Sequence, residues 1–507
     1  MPAYSTPGVY VTETQLASLI TPNVGGTAAV FFGEAARGPV AATLVQDWTT
    51  YKTLYGDLEN AYDLGYAVYH FFANGGRACY VVRVANASAT TATKATIPFY
   101  PTGNANASAS LFTATATSPG TWGNSLTVQI TSGNIPTTDT AYGTFNVIVA
   151  LGGTEVERWT EVTVDPNANR YVEAVLNNYS RYIVVSNVSA AAADIDLDWF
   201  TSLNLLAGGT QSTVADSDFT AALTALDTLN GTLILNAVGK TSSTIVSAFG
   251  AKAQSRGDSF LIIDPSSTDA DFADLQATAA NYAALSGAGY AAHYVPMLKM
   301  VDPVKSGPGA VRTTYPGGAV AGLMVRTEVE RTVAKAPAGY AADIRGALGL
   351  AIPLTDTQIG TLYDGSPQVN SFKAVPGGGI TVFGARTLSK TNPDKFISVR
   401  RTLNYIKYNV KDLTQFAVFE PNDKNLWERL NLAVSSFLSD LWRSGALKGD
   451  RASDAFFVVC DESNNTPFTV DNGQVNISVG VALQYPAEFV VIEISQWTGG
   501  SNAVETL

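Results

Sequence analysis

Three stretches carry residue types at spacings that could do chemistry. Gly239-Lys240-Thr241 follows the apolar run TLILNAV and precedes a helical pattern. That is the setting of a phosphate-binding loop, whose backbone N–H groups wrap the phosphates while its lysine reaches the outer ones. Asp264 ends the next apolar run, SFLIIDP, where a magnesium-holding acid would stand. The loop also needs a glycine five residues before Gly239, and that position is Ile234. Without it the backbone cannot close around phosphate, so an ordinary strand-to-helix turn is the better reading. SGAGYAA has the spacing GxGxxA at Gly287, Gly289 and Ala292, but it leads from a helix into a strand. A dinucleotide site needs the reverse order, so a helix cap is expected instead. Asp194, Asp196 and Asp198 imitate the start of a calcium loop; Trp199 takes the place of its glycine and Leu205 that of its closing glutamate. Those two replacements remove the turn and the bidentate ligand.

The remaining reactive groups are sparse. Cys79 and Cys460 lie in the apolar runs ACYVVRV and FFVVC and read as buried free thiols. His70 and His293 are the only histidines, too few beside two cysteines to build a zinc site. His70, in YAVYHFFANGG, reads as part of a packed aromatic helix end. No nucleophile has a histidine near it in sequence. No enzyme activity, cofactor or metal is expected.

The elements around these residues describe a large multidomain chain. At 507 residues it exceeds one ordinary core, and roughly three units are expected. Charged residues make up 15%, below the usual ~25%, which suits a chain that hides surface in an assembly or one with a large monomeric core. A net charge of −12 argues against wrapping nucleic acid. No signal peptide is visible, and no apolar run approaches the ~20 residues of a membrane span. The protein is expected to stay in the compartment where it is made.

The fold class reads as α+β or α/β, multidomain. Residues 1–25 form an arm and linker. Residues 26–87, with TAAVFFGEA and RACYVVRVA as strands around a helix, begin an α/β core. Residues 88–200 turn rich in Thr, Ala, Ser and Asn, with alternating SLTVQI, TFNVIVAL and RWTEVTV, and read as a β-rich surface insertion. Residues 201–345 alternate amphipathic helices with continuous apolar strands, the pattern of a sheet covered on both faces. Residues 346–507 form a C-terminal domain. Within it Pro421-Asn422-Asp423 signals a helix start, Leu426, Leu430, Val434, Leu438 and Leu441 recur at helical spacing, and the helix stops near Gly445.

Both termini carry short β-forming runs: Gly8, Val9, Tyr10, Val11, Thr12 and Glu13 at one end, Phe489, Val490, Val491, Ile492, Glu493 and Ile494 at the other. Such strands either pair within their own chain or complete a neighbour's sheet through main-chain hydrogen bonds. Pattern alone leaves both open.

A family resemblance bears on this choice. VFGARTLS (382–389), ISVRRTLNYI (397–406), FEPNDKNLW (419–427), SGALKGDRASDAFFVVCD (444–461) and PAEFVVIEISQ (486–496) resemble, in order, the contractile tail sheath proteins of phages and bacterial contractile injection systems. PGVYVTE (7–13), RGP (37–39), FANGGRACYVVRV (72–84), WGN (122–124) and VAGLMVRTEVERTVAKAPAG (320–339) extend the likeness; 130–315 carries little of it. The resemblance implies a structural subunit that polymerises in stacked, usually hexameric rings around an inner tube. Its arms would add strands to neighbouring subunits, with 15–26 as a hinge. The sheath would contract from a metastable extended state and drive the tube through a target envelope. Implied partners are copies of itself, the inner tube protein, and baseplate and tail terminator proteins. The implied location is a phage tail or injection particle assembled in the bacterial cytoplasm.

One charge asymmetry fits a tube contact on that reading. Arg386, Lys390, Lys395, Arg400, Arg401, Lys407 and Lys411 stand against Asp394 alone, with Arg443 and Lys448 further on. They either face an acidic tube or ring neighbour, or pair with the chain's own acids. Other readings are a different self-assembling shell or surface-layer protein, which normally needs an export signal; an ATPase resting on Gly239-Lys240-Thr241; and a tail tube or baseplate protein, disfavoured by the C-terminal motif series.

Overall fold

In a computed structural model of the chain, residues 26–488 are described, apart from 92, 95–97, 100–108, 111, 134–143, 189–203, 308 and 378. The terminal strands read at 8–13 and 489–494, and Asp194, Asp196 and Asp198, lie outside the described residues. The architecture is mixed α/β with several sheets. The chain divides into two compact units, Met1–Lys252 with Gly317–Gly322, and Ala253–Pro316 with Leu323–Leu507.

The first unit is organised by the strand Thr27–Gly33, buried along its whole length. Its unbroken apolar run is what a strand covered on both faces requires. It runs parallel to Cys79–Arg83, with Ala29 opposite Cys79, and parallel to Thr232–Ala237, with Ala28 opposite Leu233. Thr43–Val45 adds an antiparallel edge strand, Leu44 opposite Tyr80. The helix Asp63–Ala73 covers this sheet, with Phe71 edge-on to Phe31 at 5.4 Å between centroids. Gly318 and Gly322 approach that helix backbone to backbone. A Cβ on Gly318 would stand 2.1 Å from the Ala67 carbonyl oxygen, and one on Gly322 2.4 Å from that of Phe71. Only glycine fits such a crossing.

The β-rich stretch forms its own body in this unit. Leu126–Ser132, Phe145–Leu151 and Thr154–Val162 make an antiparallel meander, and Asn204–Leu205 joins at the Leu126–Ser132 edge. Thr113–Ala116 pairs with Ile183–Ser186. Inward residues of these strands meet in a core that includes Phe112, Leu126, Phe145, Val147, Leu176 and Leu206. Leu206 carries this body past residue 200. Buried Arg83 fastens it to the sheet: its Nε donates to the Ala35 carbonyl at 2.8 Å and its Nη1 to that of Pro119 at 2.9 Å.

In the second unit Ser259–Ile263 and Ala291–Val295 run parallel, Leu261 opposite Ala291, and Ala291–Val295 continues parallel to Asn370–Val375. Gly379–Phe383 turns back antiparallel, Phe372 opposite Val382. The helices Phe272–Ala280 and Asp356–Asp364 supply Leu275 and Leu362 to a cluster with Val295 and Val369. The helix Ile397–Leu413 lies against Ser259–Ile263, where Asn404 Nδ2 donates to the Ser259 carbonyl at 2.9 Å. The helix Lys424–Arg443 is capped by Asp423, which accepts from the Leu426 N–H at 2.9 Å, and buries Leu426, Leu430, Val434, Leu438 and Leu441. Gly445, at φ 79°, ends it, the left-handed turn that glycine adopts freely.

His293 sits inside Ala291–Val295, fully buried, with the Tyr282 ring edge-on at 5.2 Å. Burial pushes its pKa down to about 3, and a backbone interaction with Asp264 offsets only part of that. The unfolded chain binds this proton more readily, so stability is complete above the ordinary histidine range. It falls as pH drops from there toward 3, by on the order of 4 kcal/mol from this residue. Urea unfolding at stepped pH is expected to show this loss from about pH 6.5 downward, and His293→Phe to remove the part above the carboxylate range.

Candidate assembly surface

The lysine of the phosphate-loop look-alike is occupied. Lys240 Nζ pairs with Glu34 Oε1 at 2.9 Å and lies over the Phe219 ring at 4.9 Å. Gly287 takes a left-handed turn at φ 80°, ahead of a short 3-10 segment, Ala288–Tyr290, rather than capping an α-helix. Gly289 is there for space: a Cβ would stand 2.6 Å from that of Asp394. Cys79 and Cys460 are buried free thiols, both pushed upward in pKa by burial. Among the described residues no cluster of His, Cys, Asp and Glu could hold a metal, and no helix is long and apolar enough to cross a membrane.

The basic stretch separates by residue type. Arg386, Arg400 and Arg401 are buried, whereas Lys390, Lys407, Lys411, Arg443 and Lys448 are exposed and Lys395 is half-buried. Arg400 pairs with Asp394, donates to the Tyr290 hydroxyl at 2.9 Å, and stacks over that ring at 4.5 Å. Burial lowers its pKa. Arg401 donates to Glu328 Oε2 at 2.6 Å. Arg386 donates to both Glu488 oxygens, at 3.0 Å from Nε to Oε1 and 2.6 Å from Nη2 to Oε2, and to Asp364 Oδ1 at 2.9 Å. Arginine suits such sites because its planar fork matches a carboxylate and keeps its charge when buried. The lysines, with strongly hydrated ammonium groups, stay in water. Lys407 and Lys411, one turn apart on Ile397–Leu413, form an exposed pair. Exposed Leu413, Phe416, Val418 and Phe419 follow, with Phe419 fully in solvent at φ 67°.

Two further features suit assembly. Phe456–Val459 and Ser478–Val481 form a two-stranded antiparallel sheet, Phe457 opposite Gly480, with no third named strand among the described residues. It leans on Lys424–Arg443 through Val434, Leu438 and Leu441. Two strands are marginal alone, and an edge presents unpaired main-chain groups. The unit also holds a cavity of about 830 Å³, lined by Lys335, Lys373, Phe383, Tyr363 and Tyr485, with Glu488 at its wall. Its Lys373 is paired with Asp356 and its Glu488 with Arg386.

The fold is similar to that of solved sheath subunits. The chain folds as a sheath subunit of the injection system named PVC does in its contracted state, with a TM-score of 0.59 and 21% identity over 98% of this chain and 99% of that one. A sheath tail protein from Listeria innocua gives 0.61 at 14% identity, covering 90% and 95%. Residues 389–496 match the phage tail sheath C-terminal domain family. The tail sheath protein of Enterobacteria phage T4 is 31% identical over 160 residues, 31% of this chain and 23% of that protein. That of Vibrio phage KVP40 is 25% identical over 177 residues, 34% and 25%. The matched part thus spans about a quarter of those two relatives' length.

Arg401→Met takes the guanidinium fork away from Glu328, which is only 14% exposed. Chemical unfolding is expected to show a loss of roughly 3–5 kcal/mol, much of it recovered when Glu328→Gln is added.

Proposed function

We propose that this chain is a structural subunit of a contractile tail sheath, which polymerises around an inner tube and contracts from an extended, metastable state to drive that tube through a target envelope. The observation that carries this reading is the sheath fold over 98% of the chain together with the sheath family match at residues 389–496. The partners are further copies of the chain in rings, an inner tube protein, and baseplate and terminator proteins. The particle is a phage tail or bacterial injection device, assembled in the cytoplasm. The chain performs no reaction on this reading; the pairing of Lys240 with Glu34 supports that.

Residues 8–13 and 489–494 add strands to neighbouring copies. The open two-stranded sheet Phe456–Val459 and Ser478–Val481 supports this, because it offers an edge for main-chain pairing. Of the basic residues, exposed Lys407, Lys411 and Lys448 would meet an acidic tube, with Lys390 and Arg443 exposed beside their contacts to the Asp364 carbonyl and Asp440; Arg386, Arg400 and Arg401 are held by internal carboxylates. Energy is stored at assembly, and a small gain per subunit, summed over rigidly coupled copies, drives contraction.

Electron microscopy of the purified chain tests the proposal. Full-length chain is expected to form striated hollow tubes, and chains lacking 1–20 or 489–507 only single particles. Tubes from the truncated chains overturn strand exchange alone. Failure to polymerise with or without an inner tube overturns the sheath reading. Lys407→Glu with Lys411→Glu is expected to abolish coating of inner tubes while the chain folds normally.

A further inference from the structure

Termini are loose unless something ties them down, and the last described residues of this chain are tied at three points. The Lys448 N–H donates to the Ala482 carbonyl at 2.8 Å. The Tyr485 ring stands edge-on to Phe396 at 5.8 Å. Glu488 then receives the fork of Arg386 and the hydroxyl of Tyr363. Pro486, between the last two ties, has a fixed φ.

The receiving end is itself rigid. Arg386 is 3% exposed and stacks over Tyr363 at 3.9 Å. Asn370 grips its main chain from both sides, Nδ2 donating to the Arg386 carbonyl at 2.7 Å and Oδ1 accepting its N–H at 2.8 Å. A Cβ on the preceding Gly384 would stand 2.8 Å from Asn370 Oδ1, so glycine there lets the grip close. A buried ion pair adds little net stability over an apolar replacement, but it does fix geometry. Glu488 is the residue immediately before the apolar run 489–494.

We propose that the Arg386–Glu488 clasp is the fixed root of the C-terminal segment. It holds the chain at residue 488 so that 489–494 departs from one place toward a second copy of this chain. Residues up to 488 then keep their place during assembly and contraction. Arg386 and Tyr363 are positioning residues on this account, and the inference rests on the strand-exchange reading above. Burial alone would raise the Glu488 carboxyl; the hydrogen bonds from Arg386 and Tyr363 outweigh it and hold it below the usual range. The clasp therefore stays closed above that range and opens only as pH falls through the lowered value.

Glu488→Ala tests this, with Glu488→Gln, which keeps the shape, as the milder change. In the monomer, hydrogen exchange over 484–488 is expected to rise about tenfold, the factor a lost charge-assisted bond corresponds to. The melting temperature and exchange elsewhere stay unchanged, because Arg386 keeps Asp364 Oδ1 and the Tyr363 carbonyl as acceptors. The concentration needed for tubes rises by at least about the same factor, with Glu488→Gln between the two. Unchanged exchange and assembly in Glu488→Ala overturn the proposal. So does a lowered melting temperature in both variants, which makes the clasp part of the fold. If wild-type chain forms no tubes, the sheath reading falls, and the monomer exchange still decides whether residue 488 is anchored.

Discussion

A charge removed from water must be paired, and in the second unit this requirement fixes how separate elements meet. Arg386, Arg400 and Arg401 are each at most 5% exposed. Each draws its carboxylate from a different place: Glu488 near the chain end, Asp394 in the turn before Ile397–Leu413, and Glu328 near the end of Gly317–Glu330. Leaving Arg400 or Arg401 unpaired costs several kcal/mol, and Arg386 holds Asp364 as well as Glu488, so the elements cannot slide independently. Gly289 belongs to the same constraint, since its missing side chain makes room for Asp394. The result is a block whose internal polar geometry has one solution.

Such a block is what a contractile subunit needs on the proposed reading. A sheath that changes helical arrangement without dissolving needs subunits that keep their shape and connectors that bend. Buried forks and the buried apolar face of the helix Lys424–Arg443 give the first property. The proposed main-chain pairing of terminal strands would give the second, because backbone hydrogen bonds tolerate repositioning of the block as long as the strand itself stays in register. Packed interiors switch between discrete arrangements rather than deforming continuously, so repacking falls to the faces between subunits. On that reading exposed Phe419, Lys407 and Lys411 would lie on such a face.

Local order was legible where chemistry is local. Asp423, the leucine spacing and Gly445 announced the helix Lys424–Arg443 from start to stop. Ile234 ruled out a phosphate loop, and it is indeed a buried residue of the strand Thr232–Ala237. Long-range pairing was not legible. Nothing in TAAVFFG says that its neighbour is TLILNA some two hundred residues later, across a whole β-rich body, rather than the strands that follow that run. The basic stretch was legible as a charge asymmetry but not as a surface, because sequence does not show which side chains fold inward. Residue type carried the missing signal: the three residues of 386–411 that are arginine are inside, and the lysines are exposed or half-buried. Two of the three partners could not be read, since Glu328 and Glu488 lie far from Arg401 and Arg386 along the chain.

The most direct measurement is a high-resolution cryo-electron microscopy map of tubes grown from the full-length chain, before and after triggered contraction. The account predicts that residues 8–13 and 489–494 are traced into the sheets of neighbouring subunits in both states. It also predicts that the block from Leu323 to Glu488 superimposes between states with its three arginine pairs intact. Terminal strands paired within their own subunit, or arginine pairs that break and re-form on contraction, would contradict it.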